Sequence, residues 1–376
     1  MTKAPIRAHV FATYEDRLFA KQFHGNRMVW DDVEFTFGMD VPDDIDVLLI
    51  HVRASYSIPT RLPRERVVFI AGEPDVIHPY SSGFLNQFGI VLTPSEKPLQ
   101  TTKWQENYNS MWFAGITFEA DGSFGTLKGF DWFKDMAPPE DKLDRISVVT
   151  SNKSQTDYHR KRLRFLEALK GLIPDRLDLF GNGTRSVKDK AEALLPYKYH
   201  LAMENGGGPD TWTEKLSDPL LCWTFPFYAG CTNPERYLPT GALRPLDLSQ
   251  PEQAARDMVA DIENGRWQAA LDDIAEARQR ILHQWNLAAL CARLARAAYE
   301  TPVSDPRPRK RLIRSERSLW PEAGSRGSVA QWALRSTLLR IDPKIELRAH
   351  RLVALNEELK SARRRRRRAR QEAGRQ

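Results

Sequence analysis

The stretch that decides the fold begins with YKYHLAMENGGGPDTWTEKL at residues 197–216 and continues with FPFYAG at residues 225–230. Its apolar runs are short and unbroken, which is typical of strands buried on both faces of a sheet. The polar, glycine-rich segment Glu204–Lys215 predicts a flexible loop that leads into a helix. The order strand, loop, helix, strand predicts one unit of a parallel α/β sheet.

The same alternation extends on both sides of this stretch. Further strands are predicted at Arg7–Thr13, Asp46–Val52, Arg66–Ala71, Gly89–Leu92, Ile146–Thr150 and Leu177–Phe180, and helices at Tyr158–Lys170, Val187–Leu195 and from about residue 251 to residue 299. Two prolines followed by charges, within residues 136–145, predict a linker between two such units. We therefore expect α/β domains over residues 1–140 and 146–300, followed by a basic linker and an amphipathic helical tail over residues 301–376.

The basic character of the chain is confined to its C-terminal end. The 376 residues carry a formal charge of +7. Residues 342–376 hold twelve basic and five acidic side chains, whereas the preceding 341 residues hold 44 of each and are electroneutral. A nucleic-acid-binding fold concentrates positive charge on its folded surface, so this distribution argues against a nucleic-acid partner.

Other sequence features indicate an intracellular protein. The three cysteines, Cys222, Cys231 and Cys291, form neither a disulfide framework nor a metal-ligand spacing, and we expect them to be small buried residues. Residues 1–7 lack the apolar core of a signal peptide, and no run of 18 apolar residues is present. The expected location is the cytosol.

The stretch from residue 197 to residue 239 resembles the signature of the α-1,3/1,4-fucosyltransferases of glycosyltransferase family 10. The family pattern is a Tyr-Lys-Phe strand, a Phe-Glu-Asn-Ser loop, Asp-Tyr-x-Thr-Glu-Lys, and a Val-Pro-Val-like strand ending in glycine. Here Gly206 stands in place of the usual serine and Thr211 in place of the usual tyrosine. Ser151-Asn152 with Arg162, and the turn Gly72-Glu73-Pro74, are also similar to family segments.

This resemblance implies the GT-B fold, in which two doubly wound, Rossmann-like domains face a cleft. It implies that residues 1–140 bind a glycan acceptor and that residues 146–300 bind GDP-fucose. The implied reaction is an inverting transfer of fucose to an acceptor hydroxyl. Because Gly206 and Thr211 depart from the pattern, a GT-B transferase that uses another nucleotide sugar is the alternative.

Five residues are expected to bind the donor: Arg162, Glu204, Asn205, Glu214 and Lys215. By resemblance, Arg162 and Lys215 hold the diphosphate, whose negative charge grows as GDP leaves. Glu204 and Glu214 would accept hydrogen bonds from sugar or ribose hydroxyls. The residues alone leave plainer roles open: a solvated charge for Arg162, a charge at a helix N-terminus for Glu214, and a loop-shaping amide for Asn205.

Glu73 is the candidate general base. It follows an apolar strand, and ligands of open α/β sheets bind beyond the carboxyl ends of the strands. The flanking Gly72 and Pro74 predict a tight, defined turn. A carboxylate held there would accept the proton of the acceptor hydroxyl. The alternative is an ordinary surface glutamate.

No metal or other cofactor is expected. Asp44 and Asp46 have the spacing of a metal-binding Asp-x-Asp pair, but they precede an apolar strand and are expected in a turn with Asp43. No histidine cluster has metal-ligand spacing. The glycines of Gly181-Asn182-Gly183 are too few for a dinucleotide fingerprint, although this loop is expected to border the guanine site.

The tail permits two interpretations. Past Pro343, Ile345, Ala349, Leu352, Asn356 and Leu359 follow a two-heptad seam, which would suit a homodimer. The arginine-rich end, Arg363–Arg370, is either solvated or a peripheral contact with the inner face of a membrane. A membrane contact would suit a lipid-linked glycan acceptor. A nucleic-acid-binding function through the arginines is the remaining, less favoured alternative.

Overall fold

The structure is a computed structural model that describes residues 4–73, 78–108, 111–119, 123–150, 156–181, 185–305, 310–319 and 326–352. The strands within these residues are β1 Ile6–Phe11, β2 Val29–Trp30, β3 Val33–Phe37, β4 Val47–Val52, β5 Ile58–Thr60, β6 Val67–Ala71, β7 Ile90–Leu92, β8 Thr102–Trp104, β9 Ile116–Phe118, β10 Phe124–Leu127, β11 Leu143–Thr150, β12 Leu177–Gly181, β13 Tyr197–Gly208, β14 Phe225–Cys231, β15 Arg244–Pro245 and β16 Arg311–Ile313. The α-helices are α1 Asp16–Ala20, α2 Ser82–Leu85, α3 Phe130–Asp135, α4 Asp157–Leu172, α5 Glu214–Leu221, α6 Pro251–Glu263, α7 Arg266–Ala269, α8 Leu271–His283, α9 Leu287–Glu300 and α10 Arg326–Ile341.

Two separate, mostly parallel sheets organise these elements. The first has the strand order β2-β3-β1-β4-β6-β7-β8, in which only β2 pairs antiparallel. The second has the order β12-β11-β13-β14-β15, and all of its pairs are parallel. In each sheet the chain moves to one side of the first strand and then returns to build the other side. This reversal is the doubly wound topology, and it confirms the predicted fold class.

The strands form where the sequence is continuously apolar. β4 and β6 are buried along almost their whole lengths, as expected for parallel strands covered on both faces. Between β11 and β12, α4 begins at a capping box formed by Thr156 and His159. It turns Phe165, Leu166 and Leu169 toward the second sheet. The spacing of these residues is that of one helix face.

Two local predictions were wrong. The helix predicted at Val187–Leu195 is a short 3-10 helix at Lys190–Ala193, because Asp189 caps it at one end and Pro196 prevents its continuation at the other. The loop predicted from Glu204 is instead the end of β13, which continues to Gly208 and pairs there with Cys231. A side chain at Gly207 would place its Cβ only 3.2 Å from the carbonyl oxygen of Gly230, so glycine permits this close pairing.

The predicted domain boundaries do not match the packing. Helix α9 lies within residues 146–300, yet it covers the first sheet and contributes Leu287, Leu290 and Leu294 to its core. Conversely, Trp112 and Phe133, from residues 1–140, lie in the core of the second sheet. The apolar stripe of α9 is as hydrophobic as that of any helix packed on the second sheet, so sequence periodicity could not predict which sheet α9 covers.

Residues 310–352 are also part of the first domain rather than a linker. Strand β16 pairs antiparallel with β5, and Ile313, Leu339 and Leu347 are buried. Glu346 accepts hydrogen bonds from the backbone N–H and the hydroxyl of Ser57, at 2.6 and 2.7 Å. The rest of the predicted tail, including Arg363–Arg370 and the seam positions Asn356 and Leu359, lies outside the described residues.

A segment between the two sheets joins them through hydrogen bonds. We call residues 105–108 and 111–115 the junction segment. The backbone N–H of Phe113 donates to Asp218, and that of Gly115 donates to Asp189, each at 2.9 Å. None of the helices in the described part of the chain combines the length and hydrophobicity needed to span a bilayer.

Candidate active site

Glu73 lies two residues beyond the end of β6, at the carboxyl edge of the first sheet, and is partly buried. Strand β6 pairs there with β4, with Ala71 opposite Val52. A Cβ at Gly72 would be 2.7 Å from a methyl group of Val52, so only glycine lets the chain turn toward Glu73 at this point. The structure thus places Glu73 where ligands of open α/β sheets bind. Pro74 lies outside the described residues.

Glu204 is a buried carboxylate at the carboxyl edge of the second sheet. Its side chain, 1% exposed at the end of the apolar part of β13, accepts hydrogen bonds from the backbone N–H of Thr213 at 2.8 Å and from the Thr213 hydroxyl at 2.7 Å. Burial raises the pKa of Glu204, and the nearby Lys215 ammonium opposes this rise. Because Thr213 is also the N-cap of α5, Glu204 fixes the start of that helix.

Lys215 lies between two carboxylates. Its Nζ is 2.8 Å from Oε1 of Glu214 and 3.9 Å from Oε2 of Glu204. Burial alone would lower the pKa of Lys215, but the charges of Glu214 and then Glu204 outweigh it and raise the pKa. Burial also acts to raise the pKa of Glu214, yet Lys215 and Lys190 bring it down to about 2. Lys215 and Glu214 are therefore both charged at neutral pH.

Arg162 reaches the same cluster from the first helix of the second domain. It is 7% exposed, and its Nη1 donates to Oδ1 of Asn205 at 2.5 Å. Its buried Nε has no hydrogen-bond partner among the described residues. Burial lowers the pKa of Arg162, an effect that the charge of Glu204 opposes. A buried guanidinium with an unused donor is suited to hold an anionic ligand.

The five predicted donor residues therefore form one cluster, and a cavity adjoins it. This cavity has a volume of about 530 Å³ and is lined by Tyr158, Lys161, Tyr228, Gly230 and Asp247 among others. It opens at the carboxyl ends of β14 and β15, on the same edge as Glu204. Gly230 allows this arrangement, since a Cβ there would be 2.3 Å from Cγ of Glu204.

Tyr108 connects the two halves of the site, and the sequence analysis missed it. This buried residue of the junction segment shares a hydrogen bond with Thr211 of the second domain. Burial, followed by the charges of Glu204 and Glu73, raises the pKa of the Tyr108 phenol. Both carboxylates are therefore near one phenol, and the hydrogen bond between Tyr108 and Thr211 joins the junction segment to the second domain. The signal available in the sequence was Thr211, which stands in place of the tyrosine of the family pattern and which forms the hydrogen bond with Tyr108.

The remaining sequence candidates lie elsewhere or are not described. Asp44 accepts from the Arg7 guanidinium at 3.0 Å and Asp46 from the Arg7 backbone N–H at 2.9 Å, so both belong to an ion-paired turn. No three His, Cys, Asp or Glu side chains cluster as metal ligands in the described part of the chain. Ser151-Asn152 and Asn182-Gly183 fall outside the described residues.

Comparisons with known proteins extend the sequence resemblance. No protein-family model matches the chain. The chain is 34% identical over 125 residues to the 4-galactosyl-N-acetylglucosaminide 3-alpha-L-fucosyltransferase of Gorilla gorilla gorilla, covering 32% of this chain and 34% of that protein. It is 30% identical over 125 residues to the 3-galactosyl-N-acetylglucosaminide 4-alpha-L-fucosyltransferase of Homo sapiens, with the same coverage. The chain spans about one third of the length of these relatives.

Solved structures give a looser likeness. An alpha1,3-fucosyltransferase with GDP-fucose superposes with a TM-score of 0.48 at 16% identity, covering 81% of this chain and 94% of that one. The same type of enzyme with GDP gives a TM-score of 0.49 at 16% identity, covering 80% and 92%. The sequence relatives are named fucosyltransferases, which agrees with the resemblance of the stretch beginning at Tyr197.

Proposed function

We propose that this chain is a family 10 glycosyltransferase that moves fucose from GDP-fucose to a hydroxyl of a glycan acceptor. The observation that carries the proposal is the cluster in which Arg162 and Lys215 lie beside Glu204, at the carboxyl edge of the second sheet. Two cations and an adjoining cavity fit a nucleoside diphosphate better than an uncharged ligand. The similarity to α-1,3/1,4-fucosyltransferases supports fucose as the sugar.

In this proposal the donor lies across the second sheet. The cavity beside Gly230 takes the nucleoside, and Arg162 and Lys215 hold the diphosphate. Glu204 keeps its place through Thr213 and orients Lys215. As the bond between the sugar's anomeric carbon and the diphosphate breaks, the two cations stabilise the charge that collects on GDP.

The acceptor approaches from the first sheet. Its hydroxyl oxygen attacks the anomeric carbon on the face opposite GDP, which inverts the configuration there. Glu73 takes the hydroxyl proton as the new bond forms, and the proton then passes to solvent. Support for this role is the position of Glu73 beyond β6 and its charge interaction with Tyr108, which also senses Glu204.

Calorimetric titration with GDP, UDP and CDP tests the donor. We expect GDP to bind most tightly. The second candidate, a transferase of another nucleotide sugar, is favoured by Gly206 and Thr211 and predicts that UDP or CDP binds more tightly than GDP. GDP-fucose and GDP-mannose carry the same nucleotide, so transfer rates measured with both show which sugar the enzyme prefers.

We also propose that the reaction needs no metal or other cofactor, because Asp44 and Asp46 are engaged by Arg7. Activity should survive treatment with EDTA. Complete inactivation that is reversed by added Mg²⁺ or Mn²⁺ would refute this.

For location, we propose a cytosolic protein that touches the inner face of a membrane through Arg363–Arg370. Support comes from the concentration of charge at that end and from Leu334, Ile341 and Leu352, which are exposed apolar residues beside it. The seam of Ile345, Ala349 and Leu352 supports a homodimer as the other use of the tail. Sedimentation with anionic vesicles and measurement of the mass in solution distinguish the two.

A further inference from the structure

A second cavity lies at the carboxyl edge of the first sheet. Its volume is about 580 Å³, within the range of small-molecule sites. One wall follows β3, at residues 39–43, and another follows β4, at residues 56–61. Residues 310–312 and 339–347 close it from above. The cavity therefore exists only because the C-terminal part of the chain packs on the first domain.

The interior of this cavity is apolar. Its walls include Val41, Ile58, Leu312, Leu339 and Leu347. The roof is fixed, since Glu346 accepts three hydrogen bonds from Ser57 and Ser315, between 2.6 and 3.0 Å. A fixed, apolar interior of this size is suited to a hydrocarbon chain or ring.

The rim of the cavity is cationic. Arg61, Lys310 and Lys344 line it, and no described carboxylate pairs with any of them. Of the acidic residues there, Asp40 pairs with Arg351 and Asp342 pairs with Arg348, which leaves Asp43 as the opposing charge. Unpaired cations around an apolar interior complement a ligand that has one anionic group.

The Tyr56 hydroxyl is a second feature of this cavity that could bind a ligand. Tyr56 lines the cavity and is 2% exposed, yet its hydroxyl has no hydrogen-bond partner among the described residues. A buried O–H donor without an acceptor is costly, and a ligand oxygen would satisfy it. This observation is independent of the charges on the rim, and it points to the same kind of ligand.

The cavity is linked to the candidate base. Strand β16, which lines it, leads directly to Glu316, and Glu316 lies 2.6 Å from His78. Burial is the main cause of the raised pKa of Tyr80, and the charges of Glu316 and Glu73 both add to it, so both carboxylates are near this tyrosine. An acceptor bound beside Glu73 can therefore extend toward the cavity along the first sheet's edge.

We propose that this cavity binds the anionic, apolar anchor of the acceptor, a hydrocarbon chain joined to the glycan through phosphate. The anchor fills the apolar interior, its phosphate meets Lys310, Lys344 and the Tyr56 hydroxyl, and the glycan reaches Glu73. The identification of the ligand as the acceptor rests on the proposed function. The binding of an anionic amphiphile to this cavity is independent of that function.

Calorimetry on the full chain tests the binding. The probes are dodecyl phosphate below its micelle concentration, dodecyl maltoside and inorganic phosphate. We expect one dodecyl phosphate molecule to bind per chain. Dodecyl maltoside and inorganic phosphate should each bind at least about tenfold more weakly. The double variant Lys310→Glu with Lys344→Glu should weaken dodecyl phosphate about tenfold or more. Tyr56→Phe should weaken it while keeping the ring.

The matched control is Lys170→Glu, the same charge change on an exposed lysine of the second domain, and it should bind dodecyl phosphate normally. Equal binding by the double variant and the wild type would overturn the proposal, as would equal binding of dodecyl maltoside. GDP titration of each variant shows whether the donor site is intact.

Transfer kinetics test the link to the acceptor. At saturating GDP-fucose, a glycan joined to dodecyl phosphate should have a lower KM than the free glycan, and the double variant should abolish that difference. An unchanged difference would show that the cavity does not hold the acceptor. If the wild type transfers no fucose while dodecyl phosphate still binds the cavity, the proposed function fails and the amphiphile site stands.

Discussion

Single residues of the donor cluster have separable tasks. Lys215 and Arg162 supply positive charge, whereas Glu204, held by Thr213, keeps that charge in position. Lys215 is paired with the Glu214 carboxylate and Arg162 donates to the Asn205 amide oxygen, so a diphosphate must compete with these two partners. The fold thus holds two positive charges in one place, where they can bind an anion.

Replacing Lys215 or Arg162 with alanine should lower the transfer rate about 10²–10³-fold each, the usual effect of losing one electrostatic group at a transition state. The matched control is Arg160→Ala, on the same helix as Arg162 but exposed and paired with Asp157. Steady-state kinetics and the thermal midpoint should be measured together. Loss of activity that follows an equal loss of folded protein would indicate structural roles instead.

Glu73→Gln should leave GDP affinity unchanged and slow transfer by about 10²–10⁴-fold, the effect of losing a general base. Glutamine keeps the shape of the side chain but cannot take a proton. Calorimetry with GDP and turnover measured across pH check both parts, and the acid limb of the wild-type profile should vanish in the variant. Near-normal turnover would move the search to Glu15 and Asp16, which follow β1 on the same sheet, and to Asp75, which lies outside the described residues.

For single residues, the sequence predicted the members of the cluster around Lys215 but did not predict the contact of Tyr108 with the second domain. Arg162, Glu204, Asn205, Glu214 and Lys215 come together as expected, because a motif of fixed spacing follows one strand and one helix. Tyr108 was not predictable in the same way. Its place in the site depends on how two sheets pack, and no local spacing records that.

Among the elements, β13 and β14 decide the shape of the donor edge. They pair from Tyr199 to Met203, shift register, and pair again at Gly208. The glycines at residues 206–208 were predicted to make a loop flexible, whereas in the structure Gly207 lets the two strands stay close. The same composition is compatible with both outcomes, since only the partner strand determines whether glycine is exposed or packed.

Gly230→Ala should weaken GDP binding, because its Cβ would lie 2.3 Å from Cγ of Glu204 and 2.7 Å from the Tyr228 hydroxyl. Glu204 would have to move and would release Thr213. The matched control is Gly206→Ala in the neighbouring strand, where a Cβ meets nothing within 4 Å. We expect at least a tenfold loss of GDP affinity for the first variant, on the scale of one displaced buried side chain, and little change for the second. Equal affinities would show that Glu204 is not needed in place.

For the whole molecule, the two domains share their cores. Helix α9 returns to the first sheet, Trp112 crosses to the second, and residues 310–352 complete the first domain. The alternating pattern of the sequence predicted two sheets correctly. It could not predict these exchanges, because an apolar helix face fits either sheet equally well.

The domain junction should make stability depend on pH through Lys21. Burial lowers the pKa of this lysine to about 7, an effect that Asp218 and Asp189 oppose, and its ammonium donates to the carbonyl of Trp112 at 2.8 Å. The folded chain therefore loses the proton near pH 7, whereas the unfolded chain keeps it to about pH 10.5. Between these values the unfolded state binds more protons, so the free energy of unfolding rises with pH.

Relative to Lys21→Met, the wild-type free energy of unfolding should rise from pH 7 to pH 10 by at most about 1.4 kcal/mol per pH unit. Urea denaturation of both proteins at several pH values measures the difference. A difference that does not change with pH would mean that Lys21 stays protonated in the fold.

Truncation should separate the docked part of the C-terminal region from its end. A chain that stops at Glu300 loses Ile313, Leu339 and Leu347 from the first domain, and each buried aliphatic side chain contributes roughly 1.5–3 kcal/mol. We expect that chain to be largely insoluble or to unfold at a much lower temperature. A chain without residues 361–376 keeps all three and should match the full chain in thermal unfolding. Equal midpoints for both truncations would contradict the packing.

The return of α9 to the first sheet also has a consequence for synthesis on the ribosome. Strands β1 to β8 are complete at Trp104, but the helix that covers them begins only at Leu287. At about 5–20 residues per second, about 180 further residues take roughly 10–40 s to be made. During that interval a nascent chain presents continuous apolar strands without their cover. Efficient production should therefore depend on a chaperone that shields the emerging first domain until translation reaches α9.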